Sequence, residues 1–280
     1  MKVFHTISET RDFLKAKRRE GLSIGFVPTM GALHEGHVSL IYRARRENDI
    51  VLCSIFVNPT QFGNPEDLKI YPRSLETDAT LLEKADCDVI FAPSSEEMYV
   101  SLPELKLDFG NLEHVMEGRF RPGHFNGVGT VVSKLFHIVN PHRAYFGLKD
   151  LQQVAVLNRL VKDLSFDLEL IPCPIVREKD GLAMSSRNTR LSPKARGLAS
   201  QINKSLQVAK KALEEGLTAE ASKEKVAEHF KSFPEFELEY LEISDFENLE
   251  PLSAKNSSGK TAICIASYLD NVRLIDNIVF

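Results

Sequence analysis

Cysteine is scarce and scattered in this chain. There are four, at positions 53, 87, 173 and 264, with no Cys-x-x-Cys pair, so neither a zinc site nor a disulfide framework is specified. Thiols that stay reduced, as in a cytoplasm, are expected. Nowhere is there a run of about 18 apolar residues, and Met1-Lys2-Val3-Phe4-His5-Thr6 leads into a charged amphipathic stretch rather than an apolar signal core. Neither export nor a membrane span is expected, and the chain reads as cytoplasmic. A basic excess is also missing: 35 Lys and Arg against 39 Asp and Glu leave a formal charge of -4, with a pI near 6.1. That balance argues against a nucleic-acid groove, while local basic groups remain for phosphates. Long-period repeats and low-complexity tracts are lacking too. What is there is 280 residues, 43% of them hydrophobic, enough to bury a core in one large or two modest domains.

The chain alternates strand and helix patterns. Thr6 with Glu9 resembles a capping box, and the helix it opens ends at Gly21, a natural C′ residue. Ile24 to Val27 is a buried-looking strand that breaks at Pro28. A helix follows to about Glu47, then the apolar run Ile50–Val57, typical of a parallel strand covered on both faces. Helix Leu75–Ala85, strand Val89–Phe91, helix Val128–Val139, strand Arg143–Phe146, helix Leu151–Asp163 and strand Leu168–Ile171 repeat the alternation. This predicts an α/β fold with a doubly wound, mostly parallel sheet over residues 1–175. Residues 176–280 read as a smaller α+β domain: helices Pro193–Glu215 and Thr218–Phe230, strand character over Glu235–Ile243, and strands Thr261–Ser267 and Arg273–Val279 joined near Asp270-Asn271 as a hairpin.

The chain is organised around Ile24 to His37, where the strand turns through Gly31 into a helix carrying His34 and His37 on one face. Such a junction offers backbone N–H groups and the positive end of the helix dipole to a phosphate. Gly36 leaves room for a flat base or a phosphate against the backbone. Taken singly, either histidine is better read as a surface residue. Asn58 and Gln61 place two carboxamides on a strand-end loop, suited to a hydroxyl and a carboxylate together, although turn chemistry alone explains Asn58-Pro59. Acids such as Asp78 in the first turns of a helix are explained by its dipole. Arg119, Arg121, His124 and two glycines gather before a helix as an anion-facing loop, or equally as a solvated one. Gly147 and Lys149 form a second strand-to-helix junction, where a lysine can hold a phosphate as a point charge or be an ordinary surface residue. Ser185, Ser186 and Arg187 could close over pyrophosphate or simply cap a helix.

The His-x-Gly-His spacing after a first strand resembles the HIGH-motif signature of the nucleotidyltransferase and class I synthetase superfamily. The fuller stretch Phe26-Val27-Pro28-Thr29-Met30-Gly31-Ala32-Leu33-His34-Glu35-Gly36-His37 resembles the opening motif of the pantoate–β-alanine ligase family. Asn58-Pro59-Thr60-Gln61, Arg121-Pro122-Gly123-His124-Phe125-Asn126-Gly127-Val128, Phe146-Gly147-Leu148-Lys149-Asp150-Leu151-Gln152-Gln153 and Met184-Ser185-Ser186-Arg187 resemble its later motifs, in order. The resemblance covers residues 22 to 190 and weakens beyond. Leu148, Leu151 and Cys173-Pro174 depart from the pattern, the last bearing on how Val176 meets adenine.

This resemblance implies a Rossmann-like fold and an ATP-dependent ligase. Pantoate would be activated as an adenylate with release of diphosphate, and β-alanine would then displace AMP to give pantothenate. It implies ATP contacts at Met30, Gly31, Ala32, Leu33, His34, Glu35, Gly36 and His37, at Gly147, Leu148, Lys149 and Asp150, and at Val176, Met184, Ser185, Ser186 and Arg187. His34, His37, Lys149, Ser185, Ser186 and Arg187 would neutralise the triphosphate, with His37 either donating a proton or only stabilising charge. Gln61 and Gln153 would orient pantoate, Asn58 would line the same pocket, and Met30 and Arg121 would border the acceptor pocket. Asp78 matches an acid associated with Mg²⁺, and a homodimer is implied. The competing classes are a related nucleotidyltransferase or aminoacyl synthetase, against which stands the lack of an evident basic tRNA-binding module, and a non-catalytic nucleotide sensor.

Overall fold

The computed structural model describes residues 1–63 and 65–280. The chain divides into two compact units, Met1–Leu148 with Val156–Pro174, and Lys149–Ala155 with Ile175–Phe280. No helix among the described residues is long and apolar enough to cross a membrane. All four cysteines are buried, and none forms a disulfide among the described residues.

The first unit is built on a parallel six-stranded sheet: β1 (Lys2–Phe4), β2 (Ile24–Thr29), β3 (Ile50–Ile55), β4 (Val89–Phe91), β5 (Arg143–Gly147) and β6 (Glu169–Cys173), in the order β1-β4-β3-β2-β5-β6. The order of the chain reverses between β2 and β5, and in open α/β sheets ligands bind beyond the carboxyl ends of strands at such a reversal. β2 explains why helices lie on both faces. Phe26 and Val27 are both fully buried and, as strand neighbours, point to opposite sides. Phe26 meets Phe136 of helix His124–Val139 edge-on at 6.4 Å, while Val27 packs with Val38, Ile41 and Ala44 of helix Glu35–Glu47.

The strand does not break at Pro28. β2 continues to Thr29, with Pro28 beside Ser54 of β3. Proline is tolerated there because β2 pairs with β5 only at Gly25 and Phe26, so its missing N–H interrupts no ladder on that side. The predicted cap of the first helix is present: Thr6 accepts from the Glu9 N–H, and Gly21 follows the end of Ile7–Arg19 with φ +79°. β1, at the edge beside β4, was too short to stand out in the sequence.

The second unit holds an antiparallel sheet, β7 (Phe236–Asp245), β8 (Thr261–Leu269) and β9 (Val272–Val279), in the order β7-β8-β9. Helices Gln201–Glu214 and Ala219–Lys231 pack together, the first on β8 and β9 and the second on β7. Leu206, Val226, Ile263 and Ile265 form the centre of its core. Pro193–Glu215 is two helices rather than one, with the first ending at Leu198. The hairpin falls where predicted, and Asp270 and Asn271 both take positive φ, 54° and 59°, as a two-residue turn matched to strand twist requires.

Candidate active site

The loop leaving β2 is held from outside itself. Asp78, 1% exposed, sits on helix Leu75–Lys84 and accepts from the Ala32 N–H at 2.9 Å and the Leu33 N–H at 2.8 Å, one to each carboxylate oxygen. The turn is too tight for most residues. Gly31 has φ +82°, and a Cβ there would lie 2.9 Å from Asp78 Oδ2. Ala32 is left-handed as well, at φ +51°, a conformation costing on the order of 1–2 kcal/mol without such support. Burial pushes the Asp78 carboxyl up, and its two N–H donors oppose that shift. Its carboxylate therefore anchors a loop and does not fit the metal ligand that the family motif implies. Among the described residues no group of three or more His, Cys, Asp or Glu is placed to hold a metal ion.

His34 and His37 cap their own helix. His34 Nδ1 accepts from the Gly36 N–H at 3.1 Å, and His37 Nδ1 accepts from the His34 N–H at 3.3 Å. The rings lie 4.1 Å apart between centroids. Because Nδ1 accepts in each, the ring proton of the neutral form sits on Nε2, which makes both rings donors at that atom. This corrects the expectation of open backbone N–H groups at the helix start. The imidazoles occupy two of them, so the side chains present the donors.

Gln61 and Asn58 are both buried. Gln61 Nε2 lies 3.0 Å from Met30 Sδ, joining the amide loop to the loop after β2. Asn58 Nδ2 donates to Gln61 Oε1 at 3.1 Å and to Gly127 O at 3.2 Å, while its Oδ1 accepts from Tyr99 OH at 2.8 Å and from Thr60 Oγ1 at 3.0 Å. Asn58 thus serves the turn and, through it, the orientation of Gln61. Gly127 allows this approach, since a Cβ there would fall 2.4 Å from Thr60 O. Most of Arg119–Val128 is not a loop. Met116–Phe120 and His124–Val139 are helical, with Gly123 at φ +78° between them. His124, buried, bonds Gln61 O through Nδ1 at 3.0 Å, and its Nε2 accepts from Arg121 Nη1 at 3.1 Å. Arg121 also faces Glu117 at 3.5 Å.

In the second unit, Val176 and Met184 are brought together by Met184 N–H to Val176 O at 3.0 Å. Arg177 bridges to Ala183, and Gly181 turns the small hairpin at φ +93°. Directly after it, Ser185 caps the 3-10 turn Ser186–Arg190 by accepting from the Arg187 N–H at 3.2 Å. Lys149 and Asp150 lie in the 3-10 turn that follows β5, and Gln153 comes on the first turn of helix Leu151–Asp163. Tyr99, His124 and Gly127 complete the amide cluster, and of these only Tyr99 is not singled out by the sequence. His124 lay inside a recognised motif, but Tyr99 carried no local signal.

A family model described as pantoate-beta-alanine ligase matches residues 2–279. Pantothenate synthetase of Thermotoga petrophila is 51% identical over 280 residues, 100% of this chain and 99% of the relative. That of Cytophaga hutchinsonii is 48% identical over 275 residues, 98% and 97% of the two chains. The crystal structure of pantothenate synthetase from Thermus thermophilus superposes with a TM-score of 0.92 at 44% identity, covering 99% of each chain. Pantoate-beta-alanine ligase from Francisella tularensis, solved with beta-gamma ATP and beta-alanine, superposes at 0.83 with 37% identity, covering 100% of this chain and 97% of that one. With the fold and the full-length matches in agreement, the chain belongs to the pantoate-beta-alanine ligase family.

Proposed function

We propose that this protein condenses pantoate with β-alanine at the expense of ATP, through a pantoyl adenylate. The observation that carries this reading is the joining of Gln61 to Met30 at 3.0 Å, on the loop that ends in His34 and His37. An amide suited to a carboxylate is bonded to the loop that carries two imidazole donors suited to phosphate, the juxtaposition that attack of a carboxylate on a phosphorus requires.

In the first step a pantoate carboxylate oxygen bonds to the α-phosphorus and the bond to the β-phosphate oxygen breaks, releasing diphosphate. Charge grows on the leaving group, and the Nε2–H of His34 and His37, the Lys149 ammonium, the Ser185 and Ser186 hydroxyls and the Arg187 guanidinium are assigned to offset it. Gln61 and Gln153 orient pantoate. In the second step the β-alanine amine attacks the acyl carbon, a proton leaves the nitrogen, and AMP departs. Nothing here requires a covalent enzyme intermediate. Mg²⁺ bound with ATP would supply countercharge to the triphosphate with few protein ligands.

A turnover assay with pantoate, β-alanine and ATP tests the reading: pantothenate, AMP and diphosphate are expected in equal amounts. Lys149→Ala and His37→Ala should cut diphosphate release by orders of magnitude. His34→Asn, which keeps a good helix cap, should leave the folded signal intact and still lose activity. Near-normal diphosphate release in the Lys149 and His37 variants would remove their roles, and a dinucleotide product in place of AMP would overturn the ligase assignment.

A further inference from the structure

Asp276 and Asn277 are consecutive residues of β9, each only 3% exposed. A carboxylate and an amide persist in such a place only when bonded, and their partners are informative. Arg177 takes the Asp276 carboxylate in a two-pronged pair, Nη1 to Oδ2 at 2.6 Å and Nη2 to Oδ1 at 3.0 Å. The same guanidinium donates to Asn277 O and to Gly181 O, both at 3.0 Å. Asn277 in turn donates from Nδ2 to the backbone carbonyl of Lys149 at 3.0 Å, and from its N–H to Asp276 Oδ1 at 2.7 Å. One dipeptide therefore ties down Lys149 and the hairpin Val176–Met184 that delivers Ser185, Ser186 and Arg187.

A buried ion pair stabilises a fold no better than apolar residues of equal volume would, so packing alone gives no reason for this pair in the small sheet. Geometry does. A lysine ammonium sits at the end of a flexible four-carbon stem, and fixing its peptide removes one source of misplacement. Burial pushes the Asp276 carboxyl up, and its bonds to Arg177, with the Lys149 charge behind them, oppose that shift.

We propose that Asp276 and Asn277 are positioning residues for the ATP-handling groups, holding the Lys149 backbone and the Arg177 hairpin in fixed relation so that Lys149 and Ser185–Arg187 address one triphosphate. The proposal rests on the assignment of Lys149 to ATP made above. It makes the C-terminal strand a working part of adenylation.

The test is steady-state diphosphate release by the full-length protein. Asn277→Leu, similar in size but without the amide donor, should lose on the order of 10- to 100-fold in kcat/KM for ATP, with KM for pantoate changed less than about two-fold. Asn277→Ser, which leaves the strand pairing undisturbed, is expected to show the same split and serves where the leucine variant does not fold. Leu274→Val, on the same strand and outside the network, should lower the melting temperature comparably while keeping diphosphate release within about two-fold. Parent-like ATP kinetics in both Asn277 variants, alongside a Lys149→Ala variant that is inactive, would overturn the bracket and spare the assignment of Lys149. Parent-like activity in Lys149→Ala would overturn both.

Discussion

Gln61 Nε2 reaches Met30 Sδ at 3.0 Å, and the other end of the same amide, Oε1, is held by Asn58 at 3.1 Å. The side chain assigned to pantoate is therefore oriented from both ends before any substrate arrives. Asn58→Ala should raise KM for pantoate about 10-fold and cost about 1–3 kcal/mol of stability, because Tyr99 OH and Gly127 O each lose a partner in a buried place. If Asn58 acts through Gln61, the double variant with Gln61→Ala should lose little more substrate affinity than Gln61→Ala alone. Isothermal titration with pantoate and urea denaturation of the three variants would measure both.

Asp78 offers a different separation of roles. Asp78→Ala strands the Ala32 and Leu33 N–H groups and should cost about 3 kcal/mol in denaturant unfolding, with diphosphate release falling as the turn loosens. Asp78→Asn, which keeps one carbonyl acceptor, should fall between the parent and the alanine variant. Raising Mg²⁺ should rescue neither, whereas a metal ligand would show relief by excess metal and little loss of stability.

The thiols set a pH dependence. Burial holds Cys173 up to about 11 and Cys87 up to about 12, against an ordinary 9.0. The unfolded chain gives up these protons first, so their contribution to stability is complete below the ordinary thiol value and is lost as pH rises through the folded ones. Urea midpoints should fall between about pH 9 and about pH 12, and Cys87→Ala should flatten that decline. At neutral pH the same thiols should react with a disulfide reagent only after unfolding.

Local features were legible because their causes are local. The apolar run of β3 is buried along nearly its whole length, as a central parallel strand demands. Thr6 caps the first helix, and Asp270-Asn271 closes the last hairpin. The histidine pair was found by its spacing, although its hydrogen bonds run to its own helix start rather than leaving that start open. The misreadings were also local in origin. Pro28 reads in the sequence as the end of a strand, and only the short pairing with β5 lets the strand run on through it. Arg121 to Gly127 looked like a loop for its glycines, one of which lies inside a helix to let Thr60 approach.

The sequence by itself determined the alternation that makes a doubly wound sheet, the small antiparallel unit after it, and the family to which its motifs belong. Tertiary structure alone decided which buried acceptor each distant donor meets: Asp78 beneath Leu33, Gln61 between Asn58 and Met30, Asn277 on the carbonyl of Lys149 across 128 positions. Apolar periodicity reports which face of an element is buried. It does not say which partner arrives there, because hydrogen-bonding groups are identical along the backbone and only the packed fold selects among them.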